Sequence, residues 1–505
     1  MIQPTMTIPP ARRRLLASVI ALPFLFFCAA LLPAVRADAT PPDTIPPFTL
    51  SKGRDVTRLY AQLCANCHGE DLRGNKTDSL LDDHWKYVDG SDDAAIAAVI
   101  RDGLPRSGMP GFAATLNEAE VLGLVVLIRE TARRSVDPVP QRASALPEGV
   151  QHSERHAWRF ESVAEGRDVP WGIAFLPDGR LLFTERTGKL YQLPPGATAA
   201  TASPVEITGI PRVWVRDEGG LMAVVPHPDY AHNGWIYLTL SDPGDNDTGM
   251  TKIVRGRIRD GRWTDEEPVF AAPRSSYTDR SVNFGSRIVF EGDYMFFTVG
   301  EHGATGQAQD LALPNGKVHR TWHDGRVPPD NPFVHTPGAY PSIWSYGHRN
   351  PQGLARNPAD GGLWSTEHGP RGGDELNYVR RGANYGWPVI TYGVNYDGTP
   401  VSPLTAKEGM EQPVKYWTPS IAVSPIHFYT GDAFPMWKGN LFLGSLAQQE
   451  LHRYEIRGDK IVHEELVFKN LGRIRDIATG PAGELYISLE LPRVPGRIVR
   501  LLPAE

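Results

Sequence analysis

Three cysteines occur among the 505 residues, and two of them stand in the run Cys64-Ala65-Asn66-Cys67-His68. Thiols at i and i+3 share one helical turn, so both can add to the two vinyl groups of a haem while the adjoining imidazole lies under the iron. This C-x-x-C-H spacing is the signature of covalent haem c attachment, with His68 as proximal ligand. A thioredoxin-like redox pair or half of a zinc site would not need the following histidine, and no second cysteine pair exists to complete a zinc site. A sixth ligand belongs on a downstream loop, and Ser107-Gly-Met109-Pro-Gly-Phe112 offers a thioether held between glycine and proline. Met109 is one of only eight methionines in the chain. His/Met ligation raises the reduction potential, which suits an electron carrier rather than oxygen chemistry.

Four later runs carry a different chemistry. Ser345-Tyr-Gly-His-Arg349-Asn350-Pro-Gln-Gly353 places a cation and two amides in a tight turn, suited to anionic or carbonyl oxygens. Glu367-His-Gly369-Pro370-Arg-Gly-Gly-Asp374-Glu375-Leu-Asn377 combines flexible carbonyls with carboxylates, the hard oxygen ligands that Ca²⁺ prefers. Asn384-Tyr385-Gly-Trp387-Pro388 adds aromatic groups able to wall a pocket. In Arg473-Ile-Arg475-Asp476 the alternation of a strand would send both guanidinium groups to one side. Taken singly, a Gly/Asp cluster is usually a surface turn and an Arg pair is usually solvated.

These residues need a scaffold, and composition narrows it. Fifty glycines and 45 prolines, with 22% charged and 41% hydrophobic residues, describe a turn-rich globular chain and exclude disorder or a helical bundle. Arg12, Arg13 and Arg14 precede an apolar run from Leu15 to Val35, and Val35-Arg36-Ala37 gives the small-residue spacing of a cleavage site before Asp38. Residues 1–37 therefore read as a signal peptide that takes Cys28 with it; an uncleaved membrane anchor is the competing reading, and Pro23 and Pro33 favour cleavage. Removing four arginines and no acids moves the formal charge from −6 to −10. A moderately acidic, periplasmic or secreted protein is a poor partner for nucleic acid or anionic membrane, and its mature chain would have no membrane span.

The segments that must hold the first site are helical. Asp55 to Leu63, Asp92 to Asp102 and Glu118 to Arg133 have helical spacing, and Asn117 with Glu120 forms a capping box for the last. With Pro-rich residues 38–50 as a linker, residues 51–135 resemble a small class I cytochrome c. Residues 136–155 read as a second linker. Beyond it a turn containing Gly, Asp or Asn, followed by a short apolar strand, recurs six times, beginning near Phe175, Pro226, Phe290, Asn357, Trp437 and Pro481. Six such units over 156–505 predict six blades, so the fold class is mainly β, a six-bladed β-propeller preceded by a small all-α cytochrome c domain.

Together and in this order, the four runs resemble the soluble quinoprotein sugar dehydrogenases, the glucose/sorbosone dehydrogenase family, over roughly residues 160–502. The resemblance implies a propeller that binds pyrroloquinoline quinone and Ca²⁺. It implies that Arg349 and Asn350 contact the quinone and that Arg473 and Arg475 meet its carboxylates. It also implies that the carbonyls of Gly369 and Pro370 hold the Ca²⁺ that polarises the cofactor, and that Glu375 with Tyr385 serves a second, structural Ca²⁺. A planar tricarboxylate is well matched by arginine forks and a hard cation.

Three positions depart from the family pattern. Val282-Asn283-Phe-Gly-Ser-Arg287 puts Asn283 where the family has its proton-accepting histidine, and an amide is no base near neutral pH. Glu218 replaces a pocket glutamine, and Ala447 falls where the family has a cofactor-binding lysine. Two readings follow. Either Glu218 or His302 accepts the proton, in an exported quinohaemoprotein that oxidises a sugar or related alcohol or hemiacetal and passes electrons through haem c to an external acceptor, such as a cytochrome or respiratory chain component. Or the propeller is a non-catalytic binding platform beside an electron-transfer cytochrome. Independently of that choice, Met109→Ala is expected to abolish the low-spin His/Met absorption spectrum of the haem; an unchanged spectrum would identify a different sixth ligand.

Overall fold

The structure is a computed structural model, and it describes residues 54–504 apart from 55, 82–84, 105–106, 137–144, 397–400 and 492–493. The signal segment 1–37, Cys28 and the linker 38–50 lie outside the described residues. Among the described residues no helix is long and apolar enough to cross a membrane.

Four helices form the N-terminal part: α1 (Val56–Leu63), the single turn α2 (Ala65–His68), α3 (Asp93–Asp102) and α4 (Glu118–Val136). Asp92 caps α3 by accepting from the Ala94 amide at 2.8 Å. The predicted capping box of α4 is present, with Asn117 Oδ1 accepting from the Glu120 amide and Glu120 Oε2 from the Asn117 amide, both at 3.0 Å. The apolar stripe of α4, including Val121, Leu124, Val125 and Ile128, is buried against Val56, Leu59 and Tyr60 of α1 and Ile96 and Ile100 of α3. α4 runs to Val136 and a two-residue strand begins at Gln151, so ordered structure enters both ends of the segment read as a linker. The reason for the second is a register pairing of Gln151 and His152 with Trp158 and Ala157.

The remainder is six antiparallel sheets. Five have four strands, and the sixth has five because Ala157–Arg167 pairs with the C-terminal strand Gly496–Ala504 and carries Gln151–His152 on its outer edge. The two ends of this part are thereby sewn into one blade, which closes the ring and leaves no open inner edge. Innermost strands are Pro170–Phe175, Leu221–Pro226, Gly285–Glu291, Pro351–Arg356, Val423–Phe428 and Arg473–Thr479, each packed against the next round the ring. The recurrent sequence phrase marks one structural place: in every blade it spans the turn from the innermost strand to the second. Second strands such as Leu181–Glu185 and Leu441–Ser445 are buried along their whole length because neighbouring blades cover both faces.

Arg287, on the innermost strand of blade 3, ties four blades together. Its Nε donates to the Gln352 carbonyl of blade 4 at 2.7 Å. Nη1 pairs with Asp476 of blade 6 at 2.8 Å, Nη2 donates to the Arg475 carbonyl, and the guanidinium lies 4.2 Å from the ring centre of Trp171 in blade 1. The other Asp476 oxygen accepts from the Ile173 amide of blade 1 at 2.9 Å. Burial pushes both partners toward their neutral forms, and their mutual attraction opposes it. Removing one partner strands the other charge, so Asp476→Ala is expected to cost about 3–5 kcal/mol, visible as a lowered denaturant midpoint of the propeller; a shift below about 1 kcal/mol would contradict the hub role assigned to this pair.

Candidate functional site

The helical domain brings its chemistry to one turn. The Cys67 and His68 amides both donate to the Cys64 carbonyl at 3.0 Å, which places the two free thiols three residues apart on one helical turn. The Asn75, Lys76 and Thr77 amides converge on the Cys67 carbonyl at 3.1, 2.9 and 3.2 Å. This closure brings Thr77 Oγ1 to 3.0 Å from His68 Nδ1, leaving Nε2 as the nitrogen able to bind iron. Thr77 was not singled out by the sequence, since a threonine nine residues away carries no spacing signal. Burial lowers the His68 pKa, which keeps the imidazole neutral, as an iron ligand must be. Met109 lies on a narrow loop whose base is a bridge between Leu104 and Met109. Gly103, at φ +77°, and Gly111 close that loop; a Cβ on Gly103 would sit 2.4 Å from the Gly111 nitrogen, so no larger residue fits there. Two thiols, a neutral imidazole and a loop thioether fit a covalent haem c.

In the propeller, the loops leading into and out of the inner strands build the second site. Glu367 anchors the turn at 345–353: its Oε1 meets His348 Nδ1 at 2.9 Å and its Oε2 accepts from the Arg349 amide at 2.7 Å. Arg349 Nη1 then reaches the carbonyls of His368 and Gly369 at 3.2 and 2.9 Å, while its guanidinium lies 5.4 Å from the ring centre of Trp387. Arg349, Glu367, His368, Glu375, Tyr385 and Trp387 line a small cleft. Asn350, fully buried, accepts from the Gly285 amide at 3.0 Å and so locks the turn to blade 3.

Arg473 and Arg475 do point the same way, as strand alternation implies, and both reach one carboxylate. Glu490 Oε2 lies 3.2 Å from Arg473 Nε and 2.5 Å from Arg475 Nη2. Burial alone would raise the Glu490 pKa, but the two guanidinium groups outweigh it and hold the group at about 2. Sequence reading missed Glu490; its only signal is an acidic residue ending the apolar strand Leu485–Glu490 beside the arginine strand.

The stretch carrying Asn283 crosses directly over the end of the neighbouring strand. A Cβ on Gly300 would lie 1.9 Å from the Asn283 carbonyl, so glycine is required at that crossing. Asn283 has φ +57°, with its amide nitrogen donating to Glu301 Oε1 at 2.5 Å. Its backbone N–H donates to Glu218 Oε2 at 2.8 Å. Glu218 is exposed, whereas Glu301 is buried, and burial raises the Glu301 pKa against the opposing pull of Arg349. Glu301 is the third residue the sequence reading missed, and Gly300 is the signal that could have found it. His302 differs from its expected role. Its ring is fully buried edge-on to Phe284, 4.7 Å between centres, with Nε2 3.3 Å from Thr251 Oγ1. Burial pushes its pKa down to about 3, so taking up a proton there would put a charge in a closed apolar site.

Three guanidinium groups, the Trp387 face and a buried His368 Nε2 with no partner among the described residues suit a flat polyanion. The Gly369 carbonyl assigned to Ca²⁺ is held by Arg349, one cation in the place of another. Glu375 shares the Asn377 amide with Glu367, each at 2.9 Å; burial and the neighbouring carboxylate both push the Glu375 pKa up, an arrangement that a cation would relieve. The Tyr385 hydroxyl is already spent, donating to the Tyr378 carbonyl at 2.6 Å and accepting from the Arg380 amide at 2.8 Å, so only its carbonyl could serve a metal. Ala447 sits on the blade 5 loop with its amide on the Ile421 carbonyl at 3.0 Å and brings no charge to the site.

Known proteins are similar to both parts of the chain. The family described as glucose/sorbosone dehydrogenase matches residues 167–500, and that described as cytochrome c oxidase, cbb3-type, subunit III, matches residues 51–128. Aldose sugar dehydrogenase YliI of Escherichia coli K12 is 41% identical over 336 residues, covering 65% of this chain and 88% of the relative. The crystal structure of the soluble E. coli aldose sugar dehydrogenase in its apo-form superposes with a TM-score of 0.63 at 38% identity, covering 69% of this chain and all of that one. The PQQ-bound form of aldose sugar dehydrogenase from Streptomyces coelicolor gives 0.55 at 27% identity, covering 71% and 99%. With its six blades and the match across 167–500, the chain belongs to the glucose/sorbosone dehydrogenase family and carries a cytochrome c domain at its N-terminal side.

Proposed function

We propose that this protein is an exported quinohaemoprotein that oxidises an aldose or related hemiacetal at the propeller mouth and delivers the electrons through its own haem to an external one-electron acceptor. The observation that carries the reading is the chain of contacts joining an exposed carboxylate, Glu218, through Asn283 and Glu301 to the Arg349 turn that lines the cleft. When bound, pyrroloquinoline quinone with Ca²⁺ supplies a two-electron hydride acceptor and haem c a one-electron relay.

Each part of the chain has a task in this scheme. Arg349, Arg473 and Arg475 bind and orient a planar tricarboxylate by paired N–H donors, while Trp387 offers it a flat face. Glu490 keeps the two strand arginines parallel and limits their net charge. Glu218, open to solvent and held by the Asn283 N–H, is the carboxylate able to take the proton of a sugar hydroxyl and return it to water. His302 is left to pack against Phe284. Glu301 fixes the Asn283 side chain and thereby the backbone that holds Glu218.

Asn283 itself favours the second reading, a propeller that binds without turning over, because its amide accepts no proton. The two readings separate on reconstitution of the haem-loaded protein with pyrroloquinoline quinone and Ca²⁺. Reduction of the haem Soret and α bands on adding one or more of a panel of aldoses is expected; stoichiometric quinone binding with no haem or dye reduction by any sugar would leave only the binding platform.

Substitutions sharpen the assignment. Glu218→Gln is expected to lower kcat by about 10²–10⁴-fold, the usual effect of losing a general base, with little change in quinone binding. Asn283→His is expected to raise kcat and to move the acid limb of the pH profile toward the histidine range, since Glu301 is already placed to orient that side chain. Full activity in Glu218→Gln would remove Glu218 from the mechanism.

A further inference from the structure

The loop that lines the cleft has a second attachment. His368 and Gly369 are held by Arg349, and two residues on, Arg371 leaves the propeller to pair with Glu130 of α4 in the haem domain. The pair is two-pronged, with Arg371 Nε donating to Glu130 Oε1 at 2.7 Å and Nη2 to Oε2, and both side chains are largely buried. One helical turn further along α4, Arg133 pairs with Glu450 of blade 5, whose carboxylate is 3% exposed and also meets His452 Nε2 at 3.1 Å. The apolar contact is continuous with these pairs. Arg371 and Val394 exchange backbone hydrogen bonds at 2.9 and 3.0 Å, and Val394, fully buried, is packed into the helical core that contains Leu124, Val125 and Ile128. Tyr392 and Tyr416, stacked at 3.9 Å, lie near enough to Asp93 of α3 for its charge to raise both phenol pKa values beyond the effect of burial.

Such an arrangement differs from a cytochrome on a tether. Three of the four paired side chains, Glu130, Arg371 and Glu450, are largely desolvated at the interface, which is favourable only while the partners stay together, because separation through partial loss leaves a buried charge unpaired. Buried pairs are also poorly screened by salt. The partner signs alternate, acid then base on α4 against base then acid on the propeller, which fixes a single register.

We infer that the face of α4 carrying Glu130 and Arg133 docks the haem domain permanently on the cleft-lining loop 368–373 and on blade 5, and that this docked interface is the route by which electrons leave the sugar-oxidising site. The inference rests on the dehydrogenase reading for its redox part only. Each sugar hemiacetal oxidised to a lactone releases two electrons and two protons. The protons pass by way of Glu218 to water, and the electrons reduce ferric haem one at a time, with each ferrous haem reoxidised by an external one-electron acceptor such as an oxidised c-type cytochrome or ferricyanide.

The experiment compares the full-length, haem-loaded protein with Glu130→Lys, with Arg133→Glu and with the exchanged pair Glu130→Arg plus Arg371→Glu. Small-angle X-ray scattering without quinone reads docking alone: the two single variants are expected to show a larger radius of gyration than the native protein and the exchanged pair a restored one. Stopped-flow spectroscopy after reconstitution then reads sugar-driven haem reduction beside sugar-driven reduction of a phenazine dye. Haem reduction is expected to slow at least tenfold in Glu130→Lys and Arg133→Glu while dye reduction stays at the native rate, and to recover in the exchanged pair. Unchanged scattering in both single variants would overturn the docking assignment, and separated domains with native haem-reduction rates would overturn the electron route. Native protein that reduces neither dye nor haem would instead sink the dehydrogenase reading, and the scattering result would still decide docking.

Discussion

The contact on which the site depends is the ion pair between Arg287 and Asp476. It lies where the innermost strands converge, and it is assembled from blades 1, 3, 4 and 6 at once. A propeller's blades each bury their faces against two neighbours, but burial is non-directional and would tolerate sliding. A guanidinium fork with fixed acceptors does not tolerate it. Both strands that carry the pair also carry functional groups within a few residues: Asn283 precedes Arg287, and Arg473 and Arg475 precede Asp476. The hub that sets blade geometry therefore sets the distance between the carboxylate side and the arginine side of the mouth.

Charge organises the mouth outward from that hub. Neighbouring groups there alternate in sign: Glu301 lies near Arg349, Glu218 near Arg473, and Glu490 between Arg473 and Arg475. Such alternation keeps several ionised groups in a partly buried place without a large net charge, which lowers the desolvation cost of each. It also means that an incoming polyanion exchanges partners with groups already paired instead of meeting bare cations. The cytochrome c domain is joined to the same system through Arg371, so one short loop has the cleft at one end and that domain at the other.

Much of this was legible from residue types. The C-x-x-C-H turn, the Met109 loop, the capping box of α4 and the six repeated turns each depend on contacts within a few residues, and short-range geometry is what spacing encodes. Trp387 and Tyr385 were read as walls of a pocket and do line the cleft. Arg473 and Arg475 share a side because strand alternation is a local rule. The reading failed where partners come from distant segments. Thr77 against His68, Glu490 against two arginines, and Glu301 against Asn283 leave no periodic trace, and His302 could be recognised as packing only once Phe284 and Thr251 enclosed it.

By itself the sequence determined the residue types available: two thiols and an imidazole on one turn, arginines alternating on a strand, and an amide at position 283. It determined the number of blades, because each inner turn is written out in glycine, aspartate and asparagine. Only the tertiary structure decided which charges meet, that Glu218 is open while Glu301 and His302 are closed off, and that α4 meets the cleft loop through Glu130 and blade 5 through Arg133. The physical reason is that pairing and desolvation depend on segments hundreds of residues apart, and their free energies exist only once the ring has closed.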